Sequence, residues 1–227
     1  MAREKALVLF DIDGTLIRRA GPHHRQALVD AVRRTTSIET TTDGVPVAGM
    51  LDCEILRIMM ERAGMPAAAI RRVMPEIVRR AQWLYARSCP DLQRKVCPGV
   101  RGLLRRLQRR DVVTGLVTGN LSRIAWKKMD HAGLRPYFRY GAFAELAKDR
   151  SGLVRIAIRE ARRQKWIGPG SPITLIGDHP NDVNAARANG ARSIAVATGV
   201  VSLEELLAHT PDIALADMRA IQLKMLL

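Results

Sequence analysis

Aromatic residues are scarce in this chain: three Trp, three Tyr and three Phe make up 4% of its 227 residues. Along the sequence they do not interleave with basic residues in the manner of a base-stacking nucleic-acid platform. Cysteine is scarcer still. Cys53, Cys89 and Cys97 are odd in number and form no CxxC pair, which excludes a disulfide framework and a four-thiolate zinc site and fits a reducing cytoplasm. No run approaches the roughly 18 consecutive apolar residues of a membrane span. The opening MAREKALVLFDIDG has too short an apolar stretch before its acidic cluster to be a signal-peptide core. The expectation is a soluble, unprocessed, cytoplasmic protein with no membrane partner, monomeric or homodimeric.

Acidic residues are also in deficit, 22 against 37 Lys and Arg, for a net charge of +15. Such a surface concentrates phosphate-bearing ligands. The arginines are spread over the whole length at helical spacing (Arg33, Arg34, Arg71, Arg72, Arg105 and Arg106 among them), so solvated helix faces are favoured over a dedicated nucleic-acid groove. Nucleic acid is the secondary expectation for a partner, and a small phosphorylated metabolite the first.

What is present is an ordinary globular balance, 47% hydrophobic and 26% charged, in a chain long enough to build one large domain or a domain with an insert. Ala6 to Phe10 reads as a buried strand. From Ile17 to Val96 no strand is evident; apolar residues recur every three to four positions over His23–Arg34, Asp52–Ala63 and Pro66–Arg87, which predicts a helical insert. Beyond Pro98-Gly99 a strand–helix rhythm resumes, with strands at Val112–Val117, Arg139–Phe143, Ile173–Ile176, Ser193–Ala197 and Ile213–Leu215. The intervening helices are expected at Gly99–Arg110, Leu121–His131, 152–164, Asn181–Asn189 and Leu203–His209, with a last one from Met218. This alternation predicts an α/β fold with a parallel sheet covered on both faces. The core would comprise 1–16 and 97–227, and the insert 17–96.

The polar signals fall at strand ends, where doubly wound sheets bind ligands. Strand 6–10 runs into Asp11-Ile12-Asp13-Gly14-Thr15, strand 112–117 into Thr118-Gly119-Asn120, and strand 173–176 into Gly177-Asp178-His179-Pro180-Asn181-Asp182. Side chains two apart in extended chain point the same way, about 6 to 7 Å between Cα atoms, so Asp11 and Asp13 can flank a phosphoryl group. One carboxylate can then attack phosphorus while the other gives a proton to the leaving alkoxide and later activates water. A DxDGT match by chance in a chain of this size is on the order of one in a thousand. A phosphate dianion facing these carboxylates needs a cation, and magnesium suits the oxygen donors of Asp11, Asp13 and Asp178, with Asp182 in support. His179 is expected to cap the helix that begins at Pro180. Thr118, Gly119 and Asn120 can hold phosphoryl oxygens through hydroxyl, amide and backbone N–H groups. The positive side chain that phosphoryl transfer requires is Lys148 or Arg150.

The succession DIDGTL, LVTGN, a basic residue before a helix, and LIGDHPND resembles the haloacid dehalogenase-like hydrolases, most nearly their phosphoglycolate phosphatase-like members with a helical cap. The resemblance covers nearly the whole chain, through GVVSLEELLAHTPDIAL. It implies a Rossmann-like core with an inserted helical cap, and hydrolysis of a small phosphomonoester, phosphoglycolate-like or a sugar phosphate. It further implies Asp11 as the nucleophile, Asp13 as general acid and base, and magnesium held by Asp11, the Asp13 backbone carbonyl and Asp178, with Asp182 supporting. A phosphosugar mutase is the alternative on the same fold, and a nucleic-acid-end phosphatase or nucleic-acid-binding protein a further one. Two departures stand out. Ala147-Lys148-Asp149-Arg150 lacks the proline that usually follows the family's lysine, so both basic residues stay in play. In the cap, Gly49-Met50-Leu51-Asp52 carries Leu51 where a threonine is usual.

Overall fold

The computed structural model describes residues 5–18 and 21–226. Expectations that rest on residues 1–4 at the chain start, 19–20 in the insert and 227 in the last expected helix lie outside the described residues. Within them, six strands form one sheet: β1 (Leu7–Phe10), β2 (Val113–Val117), β3 (Tyr140–Ala142), β4 (Ile173–Gly177), β5 (Arg192–Val196) and β6 (Ile213–Leu215). The helices are α1 (His23–Thr36), α2 (Asp52–Arg62), α3 (Ala67–Ser88), α4 (Val100–Arg109), α5 (Ser122–His131), α6 (Arg150–Arg163), α7 (Pro180–Ala188) and α8 (Leu203–Ala208).

All strand pairs are parallel and the order is β3-β2-β1-β4-β5-β6, a Rossmann-like doubly wound sheet. The pleat of β1 explains its unbroken apolar sequence. Leu7 and Leu9 point to the layer holding Leu153, Val154 and Ala157 of α6 and Ala185 and Ala186 of α7, while Val8 and Phe10 point to Leu103, Leu104 and Leu107 of α4 and Ala125 and Met129 of α5. A strand covered on both faces cannot carry an exposed polar side. The register sets Phe10 beside both Leu116 and Ile176, so the chain leaves β1, β2 and β4 at one level. Central β1 lies where the connections diverge to either side, which is where such sheets open a crevice.

Three helices intervene between β1 and α4. Ala27, Leu28, Ala31 and Val32 of α1 pack with Ile70, Ile77, Ala81 and Tyr85 of α3 in one buried layer. The chain enters and leaves this segment side by side, because Ile17 pairs with Val96 in an antiparallel bridge. α3 runs through Pro75, forgoing one backbone N–H donor, since its buried stripe continues on both sides.

Three boundaries differ from the sequence expectation in ways that matter. α6 begins at Arg150, ahead of the expected 152, because the Asp149 carboxylate accepts from Gly152 N at 2.7 Å and caps the helix there. α7 begins at Pro180, whose fixed φ suits the first helical position. The expected last helix is instead two short 3-10 turns, Met218–Ala220 and Leu223–Met225, with the extended Ile221 and Gln222 between them.

Candidate active site

The tight turn after β1 is closed by Leu16 N and Ile17 N, both donating to Ile12 O at 2.9 Å. It requires a left-handed Gly14, φ 87°. It also requires the lack of a side chain there, since a Cβ on Gly14 would fall on the Asp178 carboxylate. The turn sends the two DxD carboxylates to different partners. Asp11, 5% exposed, accepts from Arg150 Nη1 at 2.7 Å. Asp13 accepts from Asn120 Nδ2 at 2.7 Å and from Lys128 Nζ at 2.6 and 2.7 Å.

Around Asp11 lies a buried acidic group. Ligand oxygens of Asp11, Asp178 and Asp182 fall within 4.8 Å of one another. Asp178 accepts from Thr15 Oγ1 at 2.7 Å, and Asp182 Oδ2 accepts from His179 N at 3.2 Å. Burial, then the neighbouring Asp11 and Asp182 charges, push the Asp178 carboxyl well above its usual range. Burial likewise pushes Asp182 up to about 7, with Arg150 opposing and Asp11 adding to the rise. Arg150 is the cation of this group. It is buried, which alone would favour the neutral form, but the Asp11 and Asp182 carboxylates hold its guanidinium protonated. If all three carboxyls ionised, one guanidinium would leave excess negative charge in a closed space, and Asp182 Oδ1 has no hydrogen-bond partner, with Arg150 Nη1 at 3.4 Å. An all-oxygen donor set with that excess fits a hard divalent cation. The Asp13 carboxylate is not in this group; the role the resemblance gives it toward a metal runs through its backbone carbonyl.

Around Asp13 lies a second network that the sequence reading missed. Lys128 of α5 is 1% exposed, and its ammonium also donates to Asn120 Oδ1 at 2.6 Å. At 3.2 Å from His24 Nδ1 it can only donate, so His24 carries its proton on Nε2 and gives it to Asp52 Oδ2 at 2.9 Å. Asp52 Oδ2 also accepts from Leu121 N at 2.8 Å. Thus α1, α2 and α5 meet at one carboxylate. Burial alone would raise the Asp13 carboxyl, but the Lys128 charge and the Lys128 and Asn120 hydrogen bonds hold it below its usual value. A signal was available: Ile124, Ala125, Lys128 and Met129 are the buried positions of α5, so the lysine occupies an apolar stripe.

The remaining expected residues are placed as follows. Thr118 Oγ1 accepts from Asn120 N and Nδ2, at 3.3 and 3.0 Å, so the Asn120 amide is committed to Thr118 and Asp13. Gly119 O accepts from Asp52 N at 2.7 Å, and a Cβ on Gly119 would collide with Met50 O. The 49–52 loop is therefore seated on the Thr118–Asn120 turn, and Asn181 Nδ2 donates to Gly49 O at 3.0 Å from the other side. His179 caps α7. Lys148 is exposed, two residues outside the buried group that Arg150 enters.

A family model described as haloacid dehalogenase-like hydrolase matches residues 5–190. The chain belongs to that family. It is an enzyme of the hydrolase class. A phosphoglycolate phosphatase of Synechococcus elongatus is 30% identical over 149 residues, covering 60% of this chain and 68% of that one. A phosphoglycolate phosphatase of Pseudomonas syringae pv. tomato is 27% identical and covers 94% of this chain and 77% of its own. The crystal structure of β-phosphoglucomutase from Clostridium difficile superposes with a TM-score of 0.70 over 98% of this chain and 95% of that one, at 18% identity, a likeness of fold.

Proposed function

We propose that this hydrolase is a magnesium-dependent phosphatase of small phosphomonoesters, working through an aspartyl-phosphate on Asp11. In this reading residues 1–16 and 97–227 form the core and 17–96 a cap. The observation that carries it is the separation of the two carboxylates: Asp11 sits buried against a guanidinium, and Asp13, two residues on, sits against an ammonium.

The reaction follows from that division. Substrate phosphorus lies against Asp11, and an Asp11 carboxylate oxygen forms a bond to it as the bond to the leaving oxygen breaks. Asp13 supplies the proton to that oxygen, releasing the alcohol. Water then attacks the phosphorus of the aspartyl-phosphate; Asp13 takes its proton, the bond to Asp11 breaks and inorganic phosphate leaves. Lys128 biases Asp13 toward the carboxylate, the form that the hydrolytic half requires. Arg150 neutralises charge developing on the phosphoryl oxygens beside Asp11. Magnesium, held by Asp11, Asp178 and the Asp13 carbonyl with Asp182 in support, would neutralise the phosphate dianion among these carboxylates. In the Thr118–Asn120 turn Thr118 N donates to Ala142 O and Asn120 N to Thr118 Oγ1, so phosphate is bound through Gly119 N–H and the Thr118 hydroxyl, the Asn120 amide being spent on Asp13.

Phosphoglycolate is the first substrate to try, since the relatives at 27% and 30% identity are phosphoglycolate phosphatases. A phosphate-release screen with and without magnesium, over phosphoglycolate, sugar phosphates and nucleotides, tests the reading. Magnesium-dependent release that disappears in Asp11→Asn is expected. Release that survives in Asp11→Asn refutes the nucleophile, and isomerisation of a sugar phosphate without release points to a mutase instead.

A further inference from the structure

The chain carries a net charge of +15, and of its 37 Lys and Arg the reaction uses Arg150 and Lys128. Part of this charge is gathered on the outer surface where α3 crosses α5. A cleft of about 520 Å³ there is walled by Arg34, Arg79, Arg80 and Arg123, with Trp83 in its side. Trp83 and Arg123 also line an adjoining cleft of about 410 Å³, whose other walls include Arg87, Trp126 and Lys127. The two clefts form one groove. Its carboxylates are Glu76 and Asp130, against six cations. Glu76 is already bonded to Arg79 and Arg80, whereas Arg34, Arg87, Arg123 and Lys127 have no ion pair among the described residues.

The tryptophans sit within this charge. Trp83 is 46% exposed, unusual for so large an apolar side chain, and the Arg87 guanidinium lies 4.9 Å from its ring centre. Trp126 is half-buried beneath the Arg135 guanidinium at 3.9 Å. The groove walls are fixed to each other, because Gln82 Oε1 of α3 accepts from Arg123 N at 2.7 Å and from Ser122 Oγ at 3.2 Å. The carboxylates of the catalytic centre are not part of it. Cations on both walls with an open indole between them answer two features of one ligand, a chain of phosphates and a series of flat rings.

The geometry points to a second binding site, independent of the phosphatase reading, in which this groove holds single-stranded nucleic acid, phosphates on Arg34, Arg123 and Lys127 and a base on Trp83. A duplex hides its base faces and cannot use the indole; an acidic peptide does not carry a flat ring on every unit beside a regular chain of phosphates. The sequence does not show the pattern because α3 and α5 each contribute one tryptophan, and the two are adjacent only after packing.

The test is fluorescence anisotropy of a fluorescein-labelled 15-nucleotide single strand with the full chain, titrated at several salt concentrations, beside a duplex of the same length. Expected are salt-sensitive binding, tighter for the single strand, and a loss of about tenfold in Trp83→Ala, the order of one stacked base. Arg123→Ala should weaken binding and flatten the salt slope by about one neutralised phosphate. Circular dichroism and thermal melting of both variants establish that they fold. The inference is overturned by no binding at low salt, by equal affinity for duplex and single strand, or by folded Trp83→Ala binding as tightly as the unchanged chain, which would mean diffuse surface charge. None of these results bears on phosphate release.

Discussion

Replacing Lys128 by Met keeps an unbranched stem in the apolar stripe of α5 and removes only the ammonium. Three close contacts go with it, to both Asp13 oxygens and to Asn120 Oδ1, at 2.6 to 2.7 Å. Breaking a fully buried pair costs about 3–5 kcal/mol, but the Asp13 side chain keeps 41% of its surface accessible, so solvent screens part of the loss. A charged hydrogen bond, about 1.5–3 kcal/mol, is the better scale. If that amount holds Asp13 in position and in the ionised form, kcat falls by about 10- to 100-fold. The sign of the pH effect follows from the same contacts. Lys128 holds the Asp13 carboxyl low, so its removal raises it, and the acidic limb of the kcat profile moves to higher pH. The assay is steady-state phosphate release from an alkyl phosphate and from 4-nitrophenyl phosphate, whose leaving group needs little protonation, across pH. The hydrolytic half that needs ionised Asp13 is common to both substrates, so the acidic limb should move for both. A folded Lys128→Met with unchanged kcat and an unchanged acidic limb would refute the assignment of Asp13 to proton transfer under Lys128 control.

The acidic group makes a stability prediction. Asp182 titrates at about 7 in the folded chain against an ordinary 3.8, so the folded state binds more protons than the unfolded one across that interval. Without metal, thermal stability therefore falls as pH rises from about 4 to 7; magnesium should restore it at the upper end, and a flat melting profile with no response to magnesium would count against both. Arg150→Lys shortens the cation that reaches Asp11 and Asp182 and should lower kcat/KM by about 10²- to 10³-fold, whereas Lys148→Ala, at an exposed position, should stay within about twofold; equal losses would show that both cations serve the site. Gly119→Ala drives a methyl into Met50 O, so the 49–52 loop must shift, and differential melting should show a loss of about 1–3 kcal/mol together with a raised KM.

Much of this was legible in the chain itself. Strand and helix periods are local, so the βα alternation, the three helices between β1 and α4 and the all-apolar β1 could be read directly. The acidic motifs were legible for a related reason: they follow strands immediately, and a parallel sheet brings strand ends together whatever the details. The choice between Lys148 and Arg150 was not legible, because it turns on the helix starting at Arg150 under an Asp149 cap, a difference of two residues that carries one side chain inside and leaves the other in solvent. Lys128 was not legible as a partner of Asp13, since 115 positions separate them and only the packing of α5 into the buried layer of Phe10 and Ile12 joins them. The same holds for Trp83 and Trp126. By itself the sequence determined the sheet, the three helices between β1 and α4 and the carboxylates at the strand ends, which depend on local period and connection rules. Tertiary structure alone decided which cation faces which carboxylate and which aromatic meets which arginine, because those pairings are set by how helices seat against one another, and that information is distributed over the whole core.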